Sequence, residues 1–393
     1  MSEYRFISSS LTTGQRIADV AVEQCSYTLA LNSPGEFTAA LPIPTDRDAA
    51  RAMLAATEPG KTVINILRDG QPVGSFIVWG RSSDGYRIEV AGAGVLSYLS
   101  RRFVKRPTLG LFPGRQFFDE DIATIISTLV EEAQEADYGN IGLELLCPET
   151  GILLDYEYLD LDYKPVMEAI LDLAALDNGP DLYVSTAIRD GAFVSTLQTY
   201  WPFAGRTFPE SGVIFRVAGS LTSFRWEETA GELSNRLVAI GSGLGDGSLI
   251  ATAQAAPGEY PLFEATYSVK DYTNMDALEE AAKGELKRVS QAKSSPTIQT
   301  TGDYLGFELG DECLVSAVPG DLPRFPDGLS AVLRIVGYTV AITADGKEDV
   351  SVELSEPISD IDPYVPVPAD EEPETPTYVD PDAGGEALGA FEV

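Results

Sequence analysis

The 393-residue sequence contains no histidine, and this single absence removes much of the usual enzyme chemistry. Ser-His-Asp and Cys-His catalytic arrangements use an imidazole as their general base, and many zinc sites use imidazole ligands. The sequence therefore excludes these nucleophilic centres and every histidine-ligated zinc site.

Cysteine is scarce, with only Cys25, Cys147 and Cys313, which lie far apart along the chain. An odd and sparse set in a long chain does not form a disulfide framework. We expect the three thiols to be small apolar residues buried in the fold.

Long apolar runs are also missing. No run approaches the roughly 18 residues that a membrane-spanning helix needs. The start, "MSEYRF", has no basic region followed by an apolar one, so we expect no secretory signal. On this basis the protein stays where it is made or leaves by a route such as cell lysis.

Cationic residues are few, with 27 Lys and Arg against 61 Asp and Glu, which gives a formal net charge of −34. Such a surface repels phosphate backbones and disfavours ordinary nucleic-acid binding. Two interpretations stay open. The charge reflects solubility or a salt-adapted host, or it forms a surface that nucleic acid must pass without sticking.

Short alternating strands and Asp-Gly turns are what the sequence does contain. Asp69-Gly70, Asp84-Gly85, Asp190-Gly191 and Asp345-Gly346 each lie between apolar runs, which is a strong hairpin signal. Strands at this spacing predict small barrels or sandwiches. The fold class is therefore predicted to be mainly β with α/β insertions.

Helical periodicity appears in four places: 46–57, 119–137, 164–176 and 274–290. The acids that begin 119–137 are expected in its first turn, where they favour the helix dipole. Thr273, with Asp276 three residues later, resembles a capping box at the start of the last helix.

The stretch "GSGLGDG" contains Gly241, Gly243, Gly245 and Gly247 after the apolar run "RLVAI" and could suggest a phosphate-binding loop. A dinucleotide fingerprint, however, opens a helix, and "SLIATAQAA" predicts a second strand. Asp246 would also place negative charge where a phosphate should lie. We therefore predict a hairpin tip. "VAGAGVLSYLSRR" (90–102) fits strand, glycine pair and helix better, but it lacks the third glycine.

The acidic stretch "LLDYEYLDLDY" offers Asp155, Glu157, Asp160 and Asp162 as oxygen ligands for calcium. Its spacing does not fit an EF-hand, and the central glycine is missing. Alternating acids and apolar residues also describe the solvated face of a strand. Neither interpretation assigns a metal ligand, and no catalytic, cofactor-binding or metal-binding residue is predicted.

The predicted organisation has four parts. A first β-barrel domain covers 1–110, a mixed α/β insert covers 111–210, and a second β-barrel domain with an inserted helix at 274–290 covers 211–360. Residues 361–393 contain six prolines, nine acids and no Lys or Arg, which predicts an irregular, extended acidic tail.

Several stretches, taken in order, resemble one family: the hub-type minor tail proteins (tail-tip or baseplate hub) of long, non-contractile-tailed actinobacterial phages. "LALNSPGEFTAALP" is similar to an early family hairpin. The block from "VINILRDG" to "SYLSRRFV" is similar to the family's next block, which has two strands, a strand ending in glycine and a short helix. "SNRLVAIGSGLGDG" resembles a degenerate family motif that Asn235 matches and that Leu244 and Asp246 do not. "ALEEAAKGELKR", "GFELGDECLV" and "RIVGYTVAITADGKEDVSVEL" resemble the late helix, a late strand and the closing hairpin. The resemblance covers about 20–356.

The resemblance implies a structural, non-enzymatic protein of the virion, located at the siphovirus tail tip and made in the host cytoplasm. It implies a homotrimer whose two barrel domains per chain close the tail tube and adapt sixfold to threefold symmetry. It further implies contacts with the distal tail protein, other tail-tip proteins and the tape-measure protein, and indirect contact with the host surface. It also implies a lumen through which DNA passes without sequence-specific binding. No cofactor is implied.

A different class of function stays open on the sequence: a host cell-wall hydrolase or carbohydrate-binding tail protein. A glycosidase needs only two suitably spaced carboxylates, and 61 acids neither exclude nor nominate such a pair. Trp79, Trp201 and Trp226 could stack on sugar rings, although aromatic residues in β proteins more often fill cores. A nucleotide-dependent enzyme is disfavoured by the glycine loop.

Overall fold

A computed structural model describes residues 2–105, 114–176, 178–217, 219–243, 247–256, 260–269, 272, 274–291, 293–301 and 305–357. The fold is mainly β, with 47% of residues in strands and 17% in helices, which confirms the predicted class. The predicted acidic tail, Thr273, Leu244 and Asp246 lie outside the described residues. None of the described helices has the length and hydropathy of a membrane-spanning segment.

The elements follow the chain as a series of short strands with four α-helices. The strands are β1 (Tyr4–Ser10), β2 (Arg16–Val20), β3 (Gln24–Ala30), β4 (Glu36–Pro42), β5 (Thr62–Arg68), β6 (Gln71–Ser83), β7 (Arg87–Gly94), β8 (Gly114–Asp121), β9 (Glu144–Leu146), β10 (Leu153–Leu159), β11 (Asp181–Arg189), β12 (Ala192–Tyr200), β13 (Val213–Arg216), β14 (Ser223–Thr229), β15 (Arg236–Ile240), β16 (Ile250–Gln254), β17 (Glu264–Ser268), β18 (Lys293–Thr301), β19 (Glu312–Ala317), β20 (Leu329–Ile342) and β21 (Glu348–Ser355). The helices are α1 (Arg47–Ala56), α2 (Ile122–Glu135), α3 (Val166–Ala174) and α4 (Met275–Val289), with 3₁₀ helices at Val95–Arg101 and Asp160–Asp162.

Thirteen strands form one large sheet, which contains β1–β7 from the N-terminal part of the chain and β13, β14 and β18–β21 from the later part. Its order is β14-β18-β21-β20-β3-β4-β7-β6-β5-β1-β2, and β19 and β13 extend from β20. The junction between the N-terminal and C-terminal strands is an antiparallel pairing of β20 with β3, from Gly337 opposite Ala30 to Ile342 opposite Cys25.

The large sheet contains the same five-stranded pattern twice. The first unit, taken from β3 to β7, has the sheet order β3-β4-β7-β6-β5. The second unit, taken from β14 to β21 without β15–β17, has the sheet order β14-β18-β21-β20-β19. In both units the fourth strand is the longest and carries a bulge, between Val78 and Gly80 in β6 and between Ile335 and Gly337 in β20. The chain therefore repeats one topology, with a difference beyond it: β1 is antiparallel to β5, whereas β13 is parallel to β19.

Among the described residues the sheet does not close on itself, since β14 and β2 end its main path. The two units also share one hydrophobic core. Phe37 and Phe76 of the first unit and Ile298 and Val352 of the second belong to the same buried cluster. Two separate barrels, and the domain boundaries drawn around them, therefore stay a prediction.

A second core forms in the mixed α/β region. Helices α2 and α3 pack with the two-stranded sheet β8–β10 through Ile126, Ile170 and Tyr156. Helix α4 and the three-stranded sheet β16-β15-β17 join this core through Leu278 and Leu237. The segment between β14 and β18 thus packs with the α/β region.

Local signals predict the turns well. Asp69-Gly70 and Asp190-Gly191 occupy two-residue turns in which both residues have positive φ, as a type I′ hairpin requires. Asp84-Gly85 and Asp345-Gly346 lie in the β6–β7 and β20–β21 connections. All four predicted hairpins are confirmed.

All four predicted helices exist, and Asp46 caps α1 by accepting hydrogen bonds from the backbone N–H groups of Asp48 and Ala49. One predicted detail is wrong. Asp119 and Glu120 do not begin the first turn of α2 but belong to β8, and Asp121 is the N-cap whose carboxylate accepts from Ala123 N–H. The strand takes precedence because β8 pairs with β10 up to Asp121 opposite Leu153.

Candidate functional site

The candidate functional surface is the face of the large sheet that lies opposite the shared core, where the two units meet. Strand residues alternate between two faces, and one face of these strands supplies the shared core, including Tyr27, Val340 and Val352. The opposite face carries small and polar side chains over six adjacent strands. We call it the hydroxyl face, and its members are Ser295, Thr297, Gln299, Thr301, Asp349, Ser351, Glu353, Gly337, Thr339, Ala341, Gln24, Ser26, Thr28, Ala30, Glu36, Thr38, Ala40, Pro42, Arg87, Glu89, Ala91 and Ala93.

Strand register places these residues on a single continuous surface. Gln299 lies opposite Ser351, Ser351 opposite Thr339, and Thr339 opposite Thr28. The Oγ1 atoms of Thr28 and Thr339 are 2.8 Å apart, so a side-chain hydrogen bond crosses the junction between the units. The hydroxyl face therefore spans both units.

The hydroxyl face is smooth and carries an excess of negative charge. None of the residues named above is aromatic or has an aliphatic side chain larger than that of alanine, apart from the ring of Pro42 at the rim. Among the residues named above, the acids are Glu36, Glu89, Asp349 and Glu353, and the one cation is Arg87, which pairs with Glu23 at 2.8 Å. Because phosphate contacts depend on Lys and Arg, this surface offers little to hold a nucleic-acid backbone.

A buried charge clamp fixes the α/β region beside the sheet. Asp311 on the approach to β19 has a fully buried carboxylate that accepts hydrogen bonds from Arg206 N (2.9 Å), Arg206 Nη2 (2.6 Å) and Glu308 N (3.0 Å). Burial alone would raise the pKa of Asp311, but these hydrogen bonds outweigh it and hold the pKa below its ordinary value. The clamp continues at Asp181, which pairs with Arg334.

Two glycines allow the chain segments of the clamp to cross at close range. Gly205 and Gly310 both have positive φ, at 86° and 93°. A Cβ on Gly205 would lie 2.0 Å from the carbonyl carbon of Gly310, and one on Gly310 would lie 2.2 Å from the Ala204 oxygen. Only glycine fits at this crossing.

A second, partly buried polar cluster links β1 and β5 to β21. Arg68 Nη2 at the end of β5 lies 3.2 Å from Glu348 Oε2, and Tyr4 Oη donates to the same oxygen at 3.2 Å. Burial raises the pKa of Tyr4 to about 12, so its hydroxyl keeps the proton that this hydrogen bond requires.

The glycine-rich stretch, the first candidate for chemistry in the sequence, lies apart from the hydroxyl face. Gly241 and Gly243 begin the connection of a hairpin, because Ile240 of β15 lies opposite Ile250 of β16 and Gly241 N–H donates to Leu249 O. A strand follows where a phosphate loop would need a helix. The hairpin prediction is confirmed.

The acidic stretch forms β10 and the 3₁₀ helix after it. Tyr156 and Tyr158 point into the core, while Asp155 on the other face accepts from Asp119 N–H at 2.9 Å and Glu157 accepts from Gln116. Within the described residues no group of three or more Cys, Asp or Glu is placed to hold a metal ion. The alternation is that of a strand with one wet face.

Two of the three tryptophans that could stack on sugar rings contact other side chains of the protein. Trp79 donates to Ser97 Oγ at 2.8 Å, and Trp226 packs against Phe325 with ring centroids 5.5 Å apart. Cys25 and Cys313 are buried, as expected, and burial raises the pKa of each thiol to about 12. Cys147 is half-buried.

Comparison by sequence finds no relative: no family model matches the chain, and no curated protein matches it.

Comparison by structure finds phage and prophage tail proteins. A tail protein from Neisseria meningitidis MC58 matches with a TM-score of 0.56 and 15% identity, over 89% of this chain and 96% of that one. The 43 kDa tail protein of prophage MuSo2 from Shewanella oneidensis matches with a TM-score of 0.59 and 13% identity, over 91% and 100%. Prophage tail protein gp18 from Listeria monocytogenes EGD-e matches with a TM-score of 0.51 and 12% identity, over 89% and 94%. The chain therefore shares the fold of these tail proteins.

Proposed function

We propose that the protein is a structural, non-enzymatic hub subunit at the tip of a phage tail. The observation that carries this proposal is the repeated five-stranded unit within one continuous sheet, in a chain that shares its fold with phage tail proteins along nearly its whole length. A large sheet with a polar face of small side chains is better suited to form the wall of a tube than to form an active site.

The proposed assembly is a homotrimer that closes the tail tube. Two topologically equivalent units per chain give six units in three chains, so such a ring would present sixfold pseudo-symmetry to the tube and threefold symmetry to the tip. A closed ring of this kind needs head-to-tail contacts between copies. The proposal includes closure of the barrels and an actinobacterial siphovirus as the source. Its proposed partners are the distal tail protein, other tail-tip proteins and the tape-measure protein.

The hydroxyl face would line the lumen of the ring. Its acids repel phosphates, and its small side chains leave the passage unobstructed, so DNA would leave the particle without being held. The net negative charge of the chain does not say which surface DNA would pass. We assign that role to the hydroxyl face. The virion tail tip is the corresponding location.

The mass of the purified protein in solution tests the assembly. We expect mass photometry to give a species of three times the 42.2-kDa chain, and electron microscopy to show a ring with a central hole. A lumen lined by another surface, with the hydroxyl face on the outside, would refute the assigned passage. A protein that stays monomeric at micromolar concentration and releases muropeptides from host wall would instead favour the wall-hydrolase alternative.

A further inference from the structure

The free edges of the large sheet show how one copy of the chain would join the next. In the second unit, β20 extends beyond its partner β19, and the extended part, Gly337–Ile342, pairs with β3 of the first unit. In the first unit, β6 likewise extends beyond its partner β5, which ends opposite Ile77. The edge of β6 that follows, through Ser83, thus corresponds to the edge of β20 that β3 covers.

Strand β14 corresponds in turn to β3. Each is the first strand of its unit and pairs with the second, and β14 ends the main path of the sheet. The bulges and the registers align the two units residue by residue. Gly80 corresponds to Gly337, and Arg225 and Glu227 correspond to Ser26 and Thr28.

We propose that β6 of one copy pairs antiparallel with β14 of the next copy, in the register of the internal β20–β3 pairing. This inference rests on the proposed ring and names the contact that closes it. The internal pairing then gives the partners: Gly80 lies opposite Thr229, Arg81 opposite Glu228, Ser82 opposite Glu227 and Ser83 opposite Trp226.

The charges on the two edges are complementary in this register. Arg81 on β6 meets Glu228 on β14, and one step further Asp84 meets Arg225. Opposite charges directly across an antiparallel pair stabilise it, and like charges destabilise it. All four of these residues are exposed in the single chain, and alternation places Arg81 and Glu228 on the same face of the joined sheet. In the single chain Arg81 donates to Leu54 O and Glu228 pairs with Arg324, so the contact between copies would exchange or share these partners.

The two bulge glycines support the same contact. A Cβ on Gly337 would lie 3.0 Å from Ala30 Cβ across the internal junction, so β3 crowds this position. A Cβ on Gly80 would meet only Ala91 Cβ, at 3.8 Å. Gly80 is therefore open on the side where the neighbouring copy would lie, and the joined sheet would continue the hydroxyl face from one copy to the next.

Disulfide cross-linking of purified full-length protein tests the register. Ser82 and Glu227 correspond to Thr339 and Thr28, whose hydroxyl oxygens are 2.8 Å apart, so cysteines at these positions lie within disulfide range. In a Cys147→Ser background, Ser82→Cys/Glu227→Cys should cross-link on mild oxidation into dimers and trimers and no larger species. Ser82→Cys/Arg225→Cys, which is two residues out of register, should give at least about tenfold less product, because the sulfurs are displaced by roughly 7 Å along the strand.

Two further controls accompany the test. Either single cysteine variant alone should stay uncross-linked, because a head-to-tail contact brings unlike residues together. Thr28→Cys/Thr339→Cys should form its disulfide within one chain. Equal cross-linking in and out of register, or a trimer by mass that does not cross-link at Ser82 and Glu227, overturns this contact and leaves the hub proposal in place. A monomer by mass that does not cross-link overturns both.

Discussion

Replacing Asp311 with asparagine should destabilise the fold substantially, because the carboxylate is fully buried in the charge clamp. Asparagine keeps the shape but presents an N–H₂ group to donors from Arg206 and Glu308. Losing hydrogen bonds to a charged group costs about 1.5–3 kcal/mol, and breaking a fully buried ion pair costs about 3–5 kcal/mol. Arg206 is 47% exposed and regains hydration, so we expect a loss of about 2–4 kcal/mol in the free energy of unfolding.

The folded unit spans Met1–Pro363, and an unfolding entropy of about 2.1 cal/mol/K per residue converts that loss into a melting temperature lower by about 3–5 °C. Differential scanning fluorimetry at pH 7 measures it. Asp48→Asn removes the same charge from a side chain that is 89% exposed and serves as the matched control, with little expected change.

Acid should reduce the difference between wild type and the Asp311→Asn variant. The folded-state pKa of Asp311 lies below its ordinary value, so its carboxylate is charged in both states at pH 7 and the stabilisation is fully present. The stabilisation is lost as pH falls from the ordinary range of an aspartate through the lowered folded-state pKa. A melting temperature equal to that of Asp48→Asn at pH 7, or a difference that is unchanged under acid, would refute the role assigned to the clamp.

Two other substitutions test the glycine crossing and the hydroxyl face. Gly205→Ala should destabilise the fold by more than about 2 kcal/mol in urea unfolding, because its Cβ clashes with Gly310 in addition to the positive-φ strain. Gly85→Ala, with positive φ and nothing within 4 Å, should show the strain alone, and equal effects would exclude the clash. Thr38→Lys should tighten binding of a short oligonucleotide to the proposed trimer several-fold at low salt, an effect lost at high salt, whereas the exposed Ala52→Lys on α1 should not. Equal affinities of the two lysine variants would contradict a lumen lined by the hydroxyl face.

Local sequence signals predict most elements well because their causes are local. At Asp69-Gly70 both residues adopt positive φ, which short-range sterics favour for this pair, and apolar spacing gives α2 and α4 a buried face. Strands β1, β2 and β8 escape prediction because serines, charges and a short span hide their alternation. Asp119 and Glu120 are assigned to a helix on sequence grounds because acids are common in a first turn. Acids are equally compatible with the exposed end of a strand, so the sequence alone does not distinguish the two.

Long-range pairing is beyond the reach of these signals. The junction of β20 with β3 joins residues about 300 positions apart, and the sequence of neither strand indicates which strand it pairs with. The hydroxyl face depends on that junction, since Thr28 and Thr339 read as ordinary strand residues until the register places them side by side. The absence of histidine excludes imidazole-dependent catalysis from the sequence alone, whereas the hydroxyl face can be identified only once the strands of the sheet are paired.

The segment 230–292 leaves and re-enters the second unit at neighbouring positions, since Thr229 lies opposite Lys293 in the β14–β18 pair. In the first unit the corresponding strands β3 and β4 are linked by a short loop. An antiparallel pair holds its opposite Cα atoms only about 5 Å apart, so any module whose two ends lie that close can replace a turn. The connection between β14 and β18 is therefore a site where one inserted domain can be exchanged for another while the large sheet stays unchanged.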